Sequence, residues 1–198
     1  MLDAQERLRV VNEELQKQLE EITKLEQQVR EQAIRDALTG LYNRHHLLNV
    51  LEAEFCRAER KGHSIAFMLI DLDHFKKVND SYGHQAGDTT LQAATQVIGK
   101  SIRRSDIAFR YGGEEFLVIL PEITLNNARQ RAEQLRQAID ELEILFKGET
   151  IHISASIGMA IYPQHGSTGD EMLSRVDHAL YQAKKAGRNK VILYAHDA

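Results

Sequence analysis

The residues of this chain whose order could do chemistry are carboxylates placed beside glycines. Residues 110–120 read RYGGEEFLVIL, two glycines followed by Glu114 and Glu115 and then an apolar run. The run reads as a buried strand and the glycines as a tight hairpin before it. Gly112 and Gly113 can take positive φ and carry no Cβ, which lets a bulky anionic ligand approach the backbone. Successive strand side chains point to opposite faces, so Glu114 and Glu115 are expected to divide the work, one toward a ligand or metal and one behind it. Taken alone, the four residues equally describe a surface hairpin with two solvated acids.

A second acidic pair, Asp71 and Asp73, closes the apolar run IAFMLIDL and opens DLDHFKKVND. Carboxylates at the carboxyl end of a buried strand are where α/β sheets place ligand chemistry. Hard oxygen donors beside a phosphate site suit Mg²⁺, which takes one or two protein carboxylates and fills its shell from substrate. Asp71, at the strand tip, is assigned to metal; Asp73 is assigned to capping a short helix that begins near Phe75. Two further motifs are decoys. Gly99-Lys100-Ser101 lacks the glycine a phosphate-binding loop needs five positions earlier, where Ala94 stands, and Asn189-Lys190 has Ile192 where a guanine-reading Asp would be required. The nine histidines show no metalloprotease spacing.

These residues need elements to hold them. Residues 1–35 lack Gly and Pro, and Leu8, Leu15, Ile22 and Val29 recur every seven positions, a coiled-coil seam that predicts pairing with a second chain. From residue 36 to 198 the pattern is mixed. Asn43 is placed to cap a helix to Lys61, with Leu47, Leu51, Phe55 and Ala58 on one face and Gly62 as its stop. A strand buried on both faces is expected over 65–72, a helix over 88–102, hairpin arms at 107–109 and 116–120, a helix over 126–142, a strand over 151–161, a helix over 170–186 and a strand over 191–194. The result is an α/β (α+β) domain, a sheet with helices packed against it. Its 198 residues, 42% hydrophobic with two prolines, suffice for one core plus the extension. A net charge of -4 gives no basis for nucleic-acid or anionic-membrane binding, so an anionic ligand must be held by local charge. No apolar run is long enough to span a bilayer, and the single Cys56, expected to be packed on a helix, fits a reducing cytoplasm.

Five segments in order, DALTGLYNR (36–44), DLDHFKKVND (71–80), GHQAGD (83–88), RYGGEEF (110–116) and ALYQAKKAGRN (179–189), resemble the GGDEF family of diguanylate cyclases over about residues 36–195. The resemblance implies a fold like the palm domain of polymerases and class III nucleotide cyclases. It implies condensation of two GTP into cyclic di-GMP with release of two pyrophosphates, using Mg²⁺ with Mn²⁺ as the alternative. Asp71, the Leu72 carbonyl and Glu114 would hold the metal, and Glu114 would also take the ribose 3′-OH proton. Lys76, placed with Glu114 in the catalytic set, would hold phosphates together with Lys184 and Arg188; the last two, four apart near a helix end, would share a face. Asn79 and Asp88 would read the guanine edge, His84 would contact the nucleotide or brace its segment, and Gly112 and Gly113 would lie against the substrate. Arg103 and Asp106 match the family's RxxD product-inhibition site. Since each domain would bind one GTP, the resemblance implies a homodimer set by the seam, under an upstream sensor domain. The alternative is a non-enzymatic cyclic di-GMP receptor or scaffold.

Overall fold

The computed structural model describes residues 2–195. In chain order the elements are α1 (Leu2–Ile34), β1 (Tyr42–Asn43), α2 (Arg44–Lys61), β2 (Ile65–Leu72), α3 (Phe75–Tyr82), α4 (His84–Ser101), β3 (Ile107–Gly112), β4 (Glu115–Pro121), α5 (Leu125–Asp140), β5 (Ile144–Phe146), β6 (Glu149–Ile151), β7 (Ala155–Tyr162), α6 (Gly169–Lys185) and β8 (Val191–Leu193). Six strands form one sheet in the order β1-β3-β4-β2-β7-β8, while β5 and β6 make a separate hairpin. Every residue of β2 is buried, and both neighbours, β4 and β7, run antiparallel to it. Its alternating side chains feed two cores. Ala66, Met68, Ile70 and Leu72 pack toward α3, α4 and α5, whereas Ile65, Phe67 and Leu69 pack toward α2 and α6. Asp71 falls on the second face by the same alternation, which turns it to α6.

Local signals account for most boundaries. Asn43 accepts from the His46 N–H to open α2, and Gly62, left-handed at φ 66, closes it. The same Asn43 amide donates to the Ala33 carbonyl at 2.8 Å, so one side chain satisfies the end of α1 and the start of α2. Along α1 the seam residues Leu8, Leu15, Ile22 and Val29 are 52–67% exposed. Among the described residues no helix is long and apolar enough to cross a membrane.

The structure departs from the sequence reading at several places in the fold. Gly83, at φ 83, ends α3 and opens α4 with no side-chain cap, so α4 begins at His84 rather than Asp88. The expected strand over 151–161 is broken: residue 151 closes β6, and β7 starts at Ala155, because the Ser154 carbonyl accepts from the Asp73 N–H and its hydroxyl donates to the Asp73 carboxylate. The β5–β6 hairpin and the two-residue β1 carry too little periodicity to be read. The hairpin arms are longer than expected, since β3 runs on to Gly112 and β4 takes in Glu115. Cys56 is exposed, because Leu47, Leu51 and Ala58 hold the buried face of α2 and turn it outward.

Helix α6 lies on β7 backbone against backbone. A Cβ on Gly158 would stand 2.2 Å from the Val176 carbonyl oxygen and 2.3 Å from the Leu180 nitrogen, neither of which can swing aside. Gly158→Ala is therefore expected to cost about 1–3 kcal/mol or more. By thermal denaturation, that should appear as a melting point lower by roughly 5 °C or more.

Candidate active site

The end of β2 concentrates charge. Asp71 is buried and accepts from Lys184 Nζ, on the last turn of α6, at 2.6 Å. Burial raises its pKa, the Lys184 ammonium opposes that, and Glu114 and Asp73 add to the rise. Glu115 is the cross-strand partner of Asp71, and its carboxyl is likewise pushed up, first by burial and then by Asp71. The Leu72 N–H donates to the Glu114 carbonyl at 3.3 Å, which fixes the glycine turn beside the strand end. Several carboxylates thus share one ammonium, a field that favours a further cation. Among the described residues no three His, Cys, Asp or Glu side chains are grouped to hold a metal alone. Two carboxylates, Asp71 and Glu114, and the Leu72 backbone fit an ion such as Mg²⁺ that takes its remaining oxygens from phosphate and water.

The glycine turn itself is held from outside. Neither Gly112 nor Gly113 uses the positive φ open to it; what matters is the missing Cβ. On Gly112 a Cβ would crowd Glu115 Oε2 at 3.3 Å, and on Gly113 it would meet nothing, leaving the turn open. Arg110 Nε and Nη2 donate to the Gly113 carbonyl at 3.1 and 2.9 Å, while Nη1 lies 3.1 Å from both Asp36 oxygens. Asp36 also accepts from the Thr39 N–H and hydroxyl. Burial works against its charge, but the Thr39 and Arg110 contacts outweigh it and lower its pKa. Asp36 therefore braces the turn. Its sequence position beside the stalk gave no sign of that, since Arg110 lies 74 residues away.

On the neighbouring helices, a Cβ on Gly87 would fall 2.0 Å from Asn79 Oδ1. The glycine thus lets α4 close onto the Asn79 amide, next to Asp88. Asp88, His84 and Lys76 are exposed. At the far side, α6 stops at Lys185, and residues 187, 188 and 189 all turn left-handed, at φ 104, 62 and 44. Lys184 and Arg188 do not share a helical face, as their spacing suggested. For Arg188 that conformation costs about 1–3 kcal/mol.

Asp73 is not a helix cap. His74, at φ 59 and without a side-chain hydrogen bond, holds that position. Asp73 is buried and accepts from Ser154 Oγ and Ser156 Oγ at 2.7 Å each and from the Asn189 N–H at 3.0 Å. Of the RxxD pair, Arg103 is exposed, whereas the Asp106 side chain is 1% exposed, accepts from the Arg103 N–H at 2.6 Å and pairs with Arg131 Nη1 at 2.8 Å.

A family model described as "Diguanylate cyclase, GGDEF domain" matches residues 33–190. The diguanylate cyclase DgcP of Pseudomonas aeruginosa is 41% identical over 162 residues, 82% of this chain and 24% of DgcP. The response regulator PleD of Caulobacter vibrioides is 37% identical over 164 residues, 82% of this chain and 36% of PleD. The chain thus spans a quarter to a third of these relatives. Among solved structures, the coiled coil and GGDEF domain of DgcB from Caulobacter crescentus, in complex with c-di-GMP, superimposes with a TM-score of 0.88 at 30% identity, covering 94% of this chain and 98% of that one.

The crowding of Glu115 against Asp71 has a measurable sign. A carboxyl whose folded pKa is raised penalises the fold once pH exceeds that pKa and not below its unfolded value. Glu115→Gln is therefore expected to raise the melting temperature of the metal-free protein at pH 7. The gain should vanish as pH is lowered to about 4, where Glu115 is itself protonated.

Proposed function

The chain belongs to the GGDEF family of diguanylate cyclases, and from that premise we propose that it condenses two GTP into cyclic di-GMP with release of two pyrophosphates. The observation that carries the proposal is the meeting of Asp71, the Leu72 backbone and Glu114 at an open glycine turn, in a field that calls for a cation. Mg²⁺ or Mn²⁺ held there would neutralise triphosphate charge and lower the pKa of the attacking hydroxyl. Glu114 accepts the proton of the 3′-OH, the 3′-oxygen bonds to the α-phosphorus of the other GTP, and the bond to the bridging oxygen breaks to release pyrophosphate. Lys184 exchanges Asp71 for substrate phosphates, joined by Lys76 and Arg188. Asn79 and the anionic Asp88 read guanine, Asp88 accepting from N1–H and N2–H₂, donors that adenine lacks.

One domain binds one GTP, so the reaction needs two domains face to face. The exposed heptad column of α1 supports a parallel homodimer, and an upstream sensor joined to α1 would act through it. Residues 1–35 would then be the signalling stalk and 36–198 the cyclase, working in the cytoplasm where GTP is found. Product inhibition would act at the exposed Arg103, with the buried Asp106 beneath it; the DgcB structure in complex with c-di-GMP supports a product site on this fold.

Incubation of the pure chain with GTP and Mg²⁺, with products resolved by chromatography, tests the activity. No cyclic di-GMP from a dimeric sample would overturn it. Glu114→Gln should lower the rate by about 100-fold or more with the circular dichroism spectrum unchanged. Asp88→Ala should narrow the preference for GTP over ATP. Arg103→Ala should move inhibition by added cyclic di-GMP to higher concentration, and an unmoved curve would remove Arg103 from that site.

A further inference from the structure

The left-handed turn at residues 187–189 is tied down by groups that the proposed chemistry does not use. The Asn189 N–H donates to Asp73 Oδ2 at 3.0 Å, and Asp73 is itself clamped by the hydroxyls of Ser154 and Ser156 at the head of β7. The Asn189 side chain reaches the other way. Its Oδ1 accepts from Arg136 Nη1 at 2.6 Å and its Nδ2 donates to Asp140 Oδ1 at 3.0 Å, both on α5. Arg136 is in turn held by Glu133 at 2.8 Å. Arg188 stands between these anchors at φ 62, with its own N–H on the Ala183 carbonyl at 3.0 Å.

We infer that Asn189 and Asp73 are positioning residues: they lock the turn that presents Arg188 to the substrate phosphates and fix it to the strand end that presents Asp71. The inference rests on the proposed reading of Arg188 as a phosphate ligand. An arginine released from a helix end samples many backbone states, and a left-handed one is held only when its surroundings over-determine it. Here the residue after it is bonded on three sides, to the Asp73 carboxylate through its backbone and to Arg136 and Asp140 through its amide. Asp73 lies two residues beyond Asp71, so the same carboxylate sets the distance between a metal ligand and a phosphate ligand. An ordinary loop on a helix end needs none of this. Asparagine suits the post because its short amide tolerates the left-handed conformation and offers a donor and an acceptor together.

The test is a double-mutant cycle on the full chain, reading the Kd of a GTP analogue with a methylene bridge between the α and β phosphorus atoms, in the presence of Mg²⁺. Asn189→Ala and Asn189→Gly should each weaken binding by about tenfold or more, and by less than about twofold when Arg188 is already alanine. Asn189→Gly accepts φ 44 without strain, so it decides the matter should the alanine variant not fold. Equal losses in both backgrounds, or no loss in the wild-type background, would overturn the inference while leaving the cyclase reading intact. If Arg188→Ala alone binds the analogue as tightly as wild type, the assignment of Arg188 to phosphate fails and this inference fails with it.

Discussion

Two carboxylates lie at the end of a strand that has no solvent-facing side. Moving such groups out of water is expensive unless each is paired or fully hydrogen-bonded. Asp71 is met by the Lys184 ammonium and Asp73 by two hydroxyls and a backbone N–H, and those partners come from α6, from β7 and the residue just before it, and from the turn after α6. Much of the C-terminal half of the domain is thus arranged to keep β2 tolerable as a buried acidic strand. The close packing of α6 on Gly158 serves the same end, because it sets the height at which Lys184 reaches the sheet. Residual strain is left at Asp71 and Glu115, whose charges oppose each other across the strand pair. The divalent cation proposed for this site would offset that opposition.

Much of this was legible in the sequence wherever the determinant is local. The continuous apolar run of β2, the Asn43 cap and Gly62 stop of α2, and the amphipathic spacing of α5 and α6 all operate within one turn or one strand. The acidic strand end and the glycine turn were visible as residue types in order. The roles of Asp73 and Asp36 were not. Asp73 finds Ser154, Ser156 and Asn189 at separations of 81, 83 and 116 residues, and no pattern along the chain records such a meeting. Read locally, an Asp two residues ahead of a helix is a cap; tertiary partners with better geometry took it. Lys184 and Arg188 failed for a related reason. Spacing of four implies a shared face only while the helix lasts, and the helix ends between them.

The stalk and the glycine turn are joined by the same kind of long-range contact. Helix α1 does not end in a slack linker: Asn43 holds its last carbonyls, Arg35 donates to the Gly40 carbonyl at 2.7 Å, and Asp36 takes Arg110, which grips Gly113. Few residues separate the helix end from the carbonyl of the turn that carries Glu114. Arg110 offers Nη1 to both Asp36 oxygens and Nε and Nη2 to the Gly113 carbonyl, and this planar group, partly shielded from solvent, resists reorientation better than an exposed lysine would. The end of α1 is thereby tied to the turn by a short chain of hydrogen bonds. For the proposed condensation between substrates on two copies, such a tie would matter more than affinity. Effective concentration in such a reaction falls steeply when reacting atoms are misplaced by even about 1 Å. In the proposed dimer, a stalk attached through flexible residues would bring two domains together without orienting them, whereas one attached through Asp36 and Arg110 would carry their relative angle into the site.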